Sequence, residues 1–199
     1  MGLLNRLHQL DELANERWLG ISTTEWHQVH FEDRPDFRGY GPTSYRDWRV
    51  IRDHIDNIGP QGAFIDYGAG LGRITVLAAR LPFKQVVGVD IDPDLVERGK
   101  YNIGRARGLK CRAHIVCCDA ALFDLPPDTS IVYFRNPFSG KVLAAVLENV
   151  RKLQRDVHII CNLPIPSAFE NEIRQSRWLA IQDEFLLSGD RKGLIFATI

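Results

Sequence analysis

Residues 64–73 read F-I-D-Y-G-A-G-L-G-R, and this stretch narrows the fold more than any other in the chain. It is a short apolar run that closes on an acid, Asp66, and then places glycine at Gly68, Gly70 and Gly72 before an amphipathic helix begins. Glycines at alternate positions let backbone approach a ligand where a Cβ would collide. The helix that follows opens with unpaired N–H groups and the positive end of its dipole. The pattern predicts a strand, a tight loop and a helix that together receive a nucleotide or nucleoside carrying a carboxylate or phosphate.

The rest of the chain alternates in the way such a unit requires. Leu3, Leu7, Leu10, Ala14 and Trp18 recur at helical spacing and Gly20 follows, which predicts an amphipathic helix over residues 3–19. Residues 20–42 lack a period but hold Trp26, His27, His30, Phe31, Phe37 and Tyr40, and read as a folded aromatic flap. A second helix starts at Thr43 or Ser44, either able to cap it, and ends at Gly59-Pro60. Strands follow at 63–67, 85–90, 113–118, 130–134 and 157–162, with helices at 72–81, 92–104, 142–153 and 167–177 between and after them. Two last strands, 178–187 and 193–198, are joined by S-G-D-R-K-G as a hairpin. These elements predict an α/β fold: a doubly wound, mostly parallel seven-strand sheet with a C-terminal antiparallel hairpin, helices on both faces and an N-terminal helical extension. Residues 1–59 form that extension and the flap, as part of the same domain as the core over 60–199.

Lys+Arg and Asp+Glu both number 25, so no net field draws the chain to nucleic acid or to a membrane surface. No apolar run approaches the ~20 residues that cross a bilayer. The N-terminus carries acids early and reads as no signal peptide. Cys111, Cys117, Cys118 and Cys161 form no C-x-x-C pair and read as free thiols, so the expected compartment is the reducing cytoplasm. His27 and His30 are three apart, but with no third ligand in view no metal is expected.

Ligands of a doubly wound sheet lie beyond the C-terminal ends of its strands. The first four strands end at Asp66, Asp90, Asp119 and Asn136, a polar side chain at each. Asp90 is placed to accept from both hydroxyls of a ribose, since two neighbouring donors suit a carboxylate. Asp119 is placed to accept from an adenine amino group. Structural roles compete: Asp66 can bond loop N–H groups, and Asp119 can cap a turn. The dinucleotide fingerprint G-x-G-x-x-G fits poorly, because Arg73 stands where its third glycine belongs.

F-I-D-Y-G-A-G-L-G-R, V-V-G-V-D-I-D-P and C-C-D-A resemble motifs I, II and III of the class I S-adenosylmethionine-dependent methyltransferases. The resemblance covers about residues 60–165. It implies S-adenosyl-L-methionine as cofactor, with Asp66, Gly68, Gly70 and Gly72 along its methionine part. It implies Asp90 on ribose, Ile91 against the adenine ring, and Asp119 with Ala120 at adenine. Upstream, G-Y-G-P-T-S-Y resembles an element of non-SET protein-lysine methyltransferases and of related bacterial proteins, which borders the methionine end. That likeness adds Tyr40 and Thr43 to the cofactor set.

Strand four runs into Y-F-R-N-P-F, which resembles the N-P-P-Y/F motif of amino- and amide-directed N-methyltransferases but has one proline instead of two. The likeness implies that Asn136 accepts from the target nitrogen beside the cofactor while Phe138 packs on it. Candidate bases are His27, His30, His54 and Tyr45. The favoured reading is transfer to a nitrogen on a protein. The flap keeps a small-molecule acceptor open, and a non-catalytic cofactor-binding protein is a third reading. Nucleic acid is not expected as partner, and the sequence leaves the oligomeric state open.

Overall fold

The computed structural model describes residues 3–24, 40–138 and 140–199. Its helices are α1 (Leu3–Leu19), α2 (Tyr45–Ile58), α3 (Arg73–Ala78), α4 (Pro93–Arg105), α5 (Gly140–Lys152) and α6 (Ala168–Arg174). Its strands are β1 (Ala63–Tyr67), β2 (Gln85–Asp90), β3 (Arg112–Cys117), β4 (Thr129–Phe134), β5 (His158–Pro164), β6 (Leu179–Leu186) and β7 (Arg191–Thr198). They form one seven-stranded sheet in the order β3-β2-β1-β4-β5-β7-β6. The first five strands are parallel, and β7 inserts antiparallel between β5 and β6. The predicted α/β sheet with its closing hairpin is the one observed.

Alternation along the central strands builds two cores. Ile65, Tyr67, Val132 and Phe134 face α5 and α6, joined by Leu143, Val146, Phe169 and Ile173. Phe64, Val86, Ile131 and Tyr133 face the other way, against Trp48, Ile51 and Ile55 of α2 and Ile74 and Leu77 of α3. β1 is buried at every position, as a strand covered on both faces should be. The helix boundaries follow their caps. The Ser44 side chain accepts from the Asp47 N–H, and Asp92 caps α4 with Pro93 in its first turn.

Two expectations need correction. The hairpin loop is shorter than predicted: Arg191 and Lys192 also belong to β7, and Leu187 N–H donates to the Arg191 carbonyl. Gly193 pairs with Phe185, whose ring takes the space that a Cβ at Gly193 would need. The pairing of β6 with β7 also slips between Ile181 and Asp183.

The second correction concerns α1. Leu7, Leu10 and Trp18 of its expected apolar stripe are 54%, 61% and 61% exposed. Leu3 lies outside the described side chains. The buried face carries Leu19 and two acids, Glu12 and Glu16, only 6% and 7% exposed. Both acids meet Arg73, itself 2% exposed, at the first position of α3. One guanidinium nitrogen of Arg73 donates to Glu12 Oε2 at 2.5 Å and to the Thr43 carbonyl at 2.9 Å. The other terminal nitrogen reaches Glu16 Oε1 at 3.2 Å, Nε reaches Thr23 Oγ1 at 2.6 Å, and the Tyr45 ring lies 4.3 Å from the guanidinium carbon. Hydrophobic pattern alone would turn the leucines inward. A buried arginine that these two acids neutralise turns the helix the other way.

Replacing Arg73 with Met strands two buried carboxylates, and breaking a buried pair on one side costs about 3–5 kcal/mol. Urea denaturation of Arg73→Met should show a loss of that order. Adding Glu12→Gln and Glu16→Gln to the same variant should recover most of it, because the acids then no longer need a counter-charge.

Candidate active site

The C-terminal ends of β1, β2 and β4 meet at one mouth of the sheet. β1 delivers Asp66 and then the glycine loop. Gly68, Gly70 and Gly72 all have left-handed backbone, with φ of 76°, 51° and 82°. Glycine is therefore required by conformation. It is also required by neighbours of the protein's own. A Cβ at Gly68 would lie 2.6 Å from Pro137, one at Gly70 would lie 2.5 Å from the Tyr40 ring, and one at Gly72 would lie 3.1 Å from Ile115. The close approach expected of a ligand is thus made, at these three positions, by protein side chains.

Asp90 ends β2 and organises the loop. Its Oδ2 accepts from the Gly70 N–H at 2.7 Å, and its Oδ1 accepts from the Asp92 N–H at 3.0 Å. Each carboxylate oxygen keeps a further lone pair for an incoming donor. Ile91 follows, half-buried. Asp119 caps a short 3₁₀ turn through the Ala121 N–H at 3.0 Å, and Ala120 is buried beneath it. The capping role weighed for Asp119 is therefore present in the structure.

Asp66 is 2% exposed and accepts from Thr75 Oγ1 at 2.8 Å. Burial pushes its pKa up to about 7, the Thr75 hydrogen bond opposing the shift and the Asp90 charge adding to it. Tyr40 donates its hydroxyl to the Thr23 carbonyl at 2.6 Å while its ring lies over Gly70. The Thr43 hydroxyl shares a 2.7 Å hydrogen bond with the Tyr133 hydroxyl. Tyr40, Thr43, Asp66 and Gly68 line one pocket together with Tyr133 and Arg135.

On the acceptor side, Asn136 has a φ of 51°, a left-handed turn that asparagine tolerates, and it is half-buried. This turn seats Pro137 against Gly68. Phe138 is not at the mouth. It is 2% exposed and packs on Tyr67, Phe134 and Phe169, so the ring expected against an acceptor belongs to the core below. Tyr45 is equally withdrawn: burial raises its hydroxyl pKa, which removes it as a base near neutral pH. The His54 Nδ1 lies 2.9 Å from Asp183 Oδ2 and its ring stacks on Phe185, which ties it to the hairpin. Trp26, His27, His30, Phe31 and Phe37 lie outside the described residues.

A family model described as a methyltransferase domain matches residues 64–156. The ribosomal protein L11 methyltransferase of Ralstonia pickettii (strain 12J) is 31% identical over 159 residues, 68% of this chain and 51% of that protein. The same-named protein of Cupriavidus necator is 35% identical over 121 residues, 50% of this chain and 40% of that one. The chain thus spans about half the length, or less, of the curated relatives it matches. An RNA methyltransferase from Salinibacter ruber, solved in complex with S-adenosyl-L-homocysteine, superposes with a TM-score of 0.59 at 19% identity, covering 79% of this chain and 94% of its own. A Pyrococcus horikoshii protein gives a TM-score of 0.67 at 14% identity over 98% and 99% of the two chains. At such identities the likeness is one of fold.

The chain carries a class I S-adenosylmethionine-dependent methyltransferase domain. The residues present suit that cofactor. Asp90 has acceptor capacity to spare, and a buried guanidinium nitrogen, Arg135 Nε, has no hydrogen-bond partner beside the glycine loop. Sequence reading assigns Arg135 no role, although a cation directly after an apolar strand, at the ligand end of the sheet, is a usable signal. The methyltransferase domain also gives Glu12 and Glu16 a place beside its loop that helical periodicity alone conceals.

A pH dependence follows from Asp66. The folded protein keeps this proton up to about pH 7, whereas an unfolded chain releases it near pH 4. Between those values the native state binds more protons, so stability from this group falls as pH rises, by up to about 1.4 kcal/mol per unit. Asp66→Asn should flatten that part of the curve, measured by denaturant melts from pH 4.5 to 8.

Proposed function

We propose that the chain transfers the methyl group of S-adenosylmethionine to a nitrogen on a protein, with a ribosomal protein as the favoured acceptor class. The observation that carries the reading is the similarity to ribosomal protein L11 methyltransferases, which extends over 68% of this chain. It agrees with the G-Y-G-P-T-S-Y element, whose Tyr40 and Thr43 border the glycine loop through Gly70, Arg73 and Tyr133.

The cofactor, when bound, supplies a sulfonium methyl that is already electrophilic, so the chain's task is alignment. Asp90 would accept from the ribose hydroxyls, with its carboxylate held in place by the Gly70 and Asp92 N–H groups. Ile91 and Ala120 offer apolar surface for the adenine, and Asp119 would accept from its amino group. Asn136 would accept from the target nitrogen, its side chain set by the left-handed turn and by Pro137 on Gly68. Phe138 supports that turn from the core. An amine acceptor must lose its proton, to solvent or to a base, before it reacts.

Methyl-labelled S-adenosylmethionine incubated with the protein and a bacterial extract should place label in a discrete protein band. Asp90→Ala should weaken cofactor binding at least about tenfold, the value of one lost charge-assisted hydrogen bond, and should remove the band. Label confined to small molecules would move the assignment to a metabolic methyltransferase. Tight binding with no label in any fraction would make the chain a cofactor-binding protein instead.

A further inference from the structure

Arg135 is the first residue after β4, so the strand sends it to the mouth of the sheet. Its Nε is fully buried and has no hydrogen-bond partner among the described residues. The guanidinium makes no hydrogen bond or salt bridge among the described residues, and burial lowers its pKa from the ordinary arginine range, a shift that the Tyr133 and Asp47 charges oppose. Arg135 is half-buried, and leaving one of its donors buried and unpaired costs free energy. Room has nonetheless been made for it: a Cβ on Gly41 would lie 2.9 Å from Nη1.

The pocket that Arg135 lines also contains Asp66, Gly68 and Tyr40. Arg73 reaches the same pocket, but its guanidinium is taken up by Glu12 and Glu16. One unpaired guanidinium and one buried carboxyl thus face a single small space beside the glycine loop. Such a pair matches a group that carries an anion and an ammonium a few ångströms apart, which is the chemistry of an α-amino acid; an ammonium beside Asp66 favours its ionised form and so opposes the effect of burial.

We infer that Arg135 binds the amino-acid carboxylate of S-adenosylmethionine, with Asp66 as the acceptor for its ammonium. The inference rests on the methyltransferase reading and assigns that site a residue set. Arg135 offers two parallel N–H donors to a carboxylate, a geometry lysine cannot copy. The carboxylate of an amino-acid acceptor has the same chemistry. The two sources differ in whether the anchor is felt in the absence of any acceptor.

The test is calorimetric binding, without acceptor, of two ligands. S-adenosylhomocysteine carries the amino-acid end, and 5′-methylthioadenosine has the same nucleoside without it. Arg135→Met should weaken S-adenosylhomocysteine at least about tenfold, one lost charge-assisted pair, and leave methylthioadenosine within about twofold of wild type. Arg135→Lys should fall between. Unchanged S-adenosylhomocysteine affinity in Arg135→Met would overturn the inference and point to the acceptor's carboxylate. An equal loss for both ligands would also overturn it, since a role in packing alone weakens the nucleoside as well. Wild-type protein that binds neither ligand would instead sink the cofactor reading itself.

Discussion

The buried charge cluster around Arg73 is the constraint on which the N-terminal half depends. Arg73 begins α3, directly after the glycine loop, and side chains at 2% exposure cannot carry an unneutralised cation. Its counter-charges come from α1, more than fifty residues earlier, and its remaining donors go to Thr23 and to the Thr43 carbonyl. One side chain thereby ties α1, the segment before α2, and α3 into a single support for the loop. Glu12 extends the tie by accepting from the Tyr45 N–H at 2.9 Å, at the first residue of α2. Thr23 extends it again, because its carbonyl holds the hydroxyl of Tyr40, whose ring covers Gly70.

The mouth of the sheet is built by the same economy of contacts. Three strand ends converge there, and each is fixed by its neighbour. Asp90 from β2 holds the backbone of the β1 loop, and the turn after β4 seats Pro137 on Gly68. Tyr133 from β4 reaches across to Thr43. Positions that a cofactor and an acceptor would share are therefore set by backbone and by short side chains. Two long cations reach that space: Arg73 is taken up by Glu12 and Glu16, while Arg135 keeps an Nε without a hydrogen-bond partner among the described residues. Among the described residues no helix is long and apolar enough to cross a membrane.

The sheet was legible because its signals are local. Apolar runs of five to eight residues, broken by glycine, proline and caps, mark each strand, and Asp66, Asp90 and Asp119 stand at ends that the topology then brings together. What stayed hidden depends on partners distant in sequence. The facing of α1 is decided by Arg73, and no periodicity within the helix encodes it. The withdrawal of Phe138 depends on Tyr67, Phe134 and Phe169, which open a place for its ring between two strands and a helix. In each case a side chain from elsewhere outweighed a local preference.

The slip in pairing between Ile181 and Asp183 has a consequence for the molecule in company. β6 is an outer strand of the sheet, and an outer strand offers unpaired N–H and C=O groups to any other extended chain. The irregularity interrupts its ladder beside Asp183 and Glu184, so a second copy that approached edge to edge would meet broken register and charged side chains together. The hairpin that closes the fold thus also keeps its margin from acting as a template.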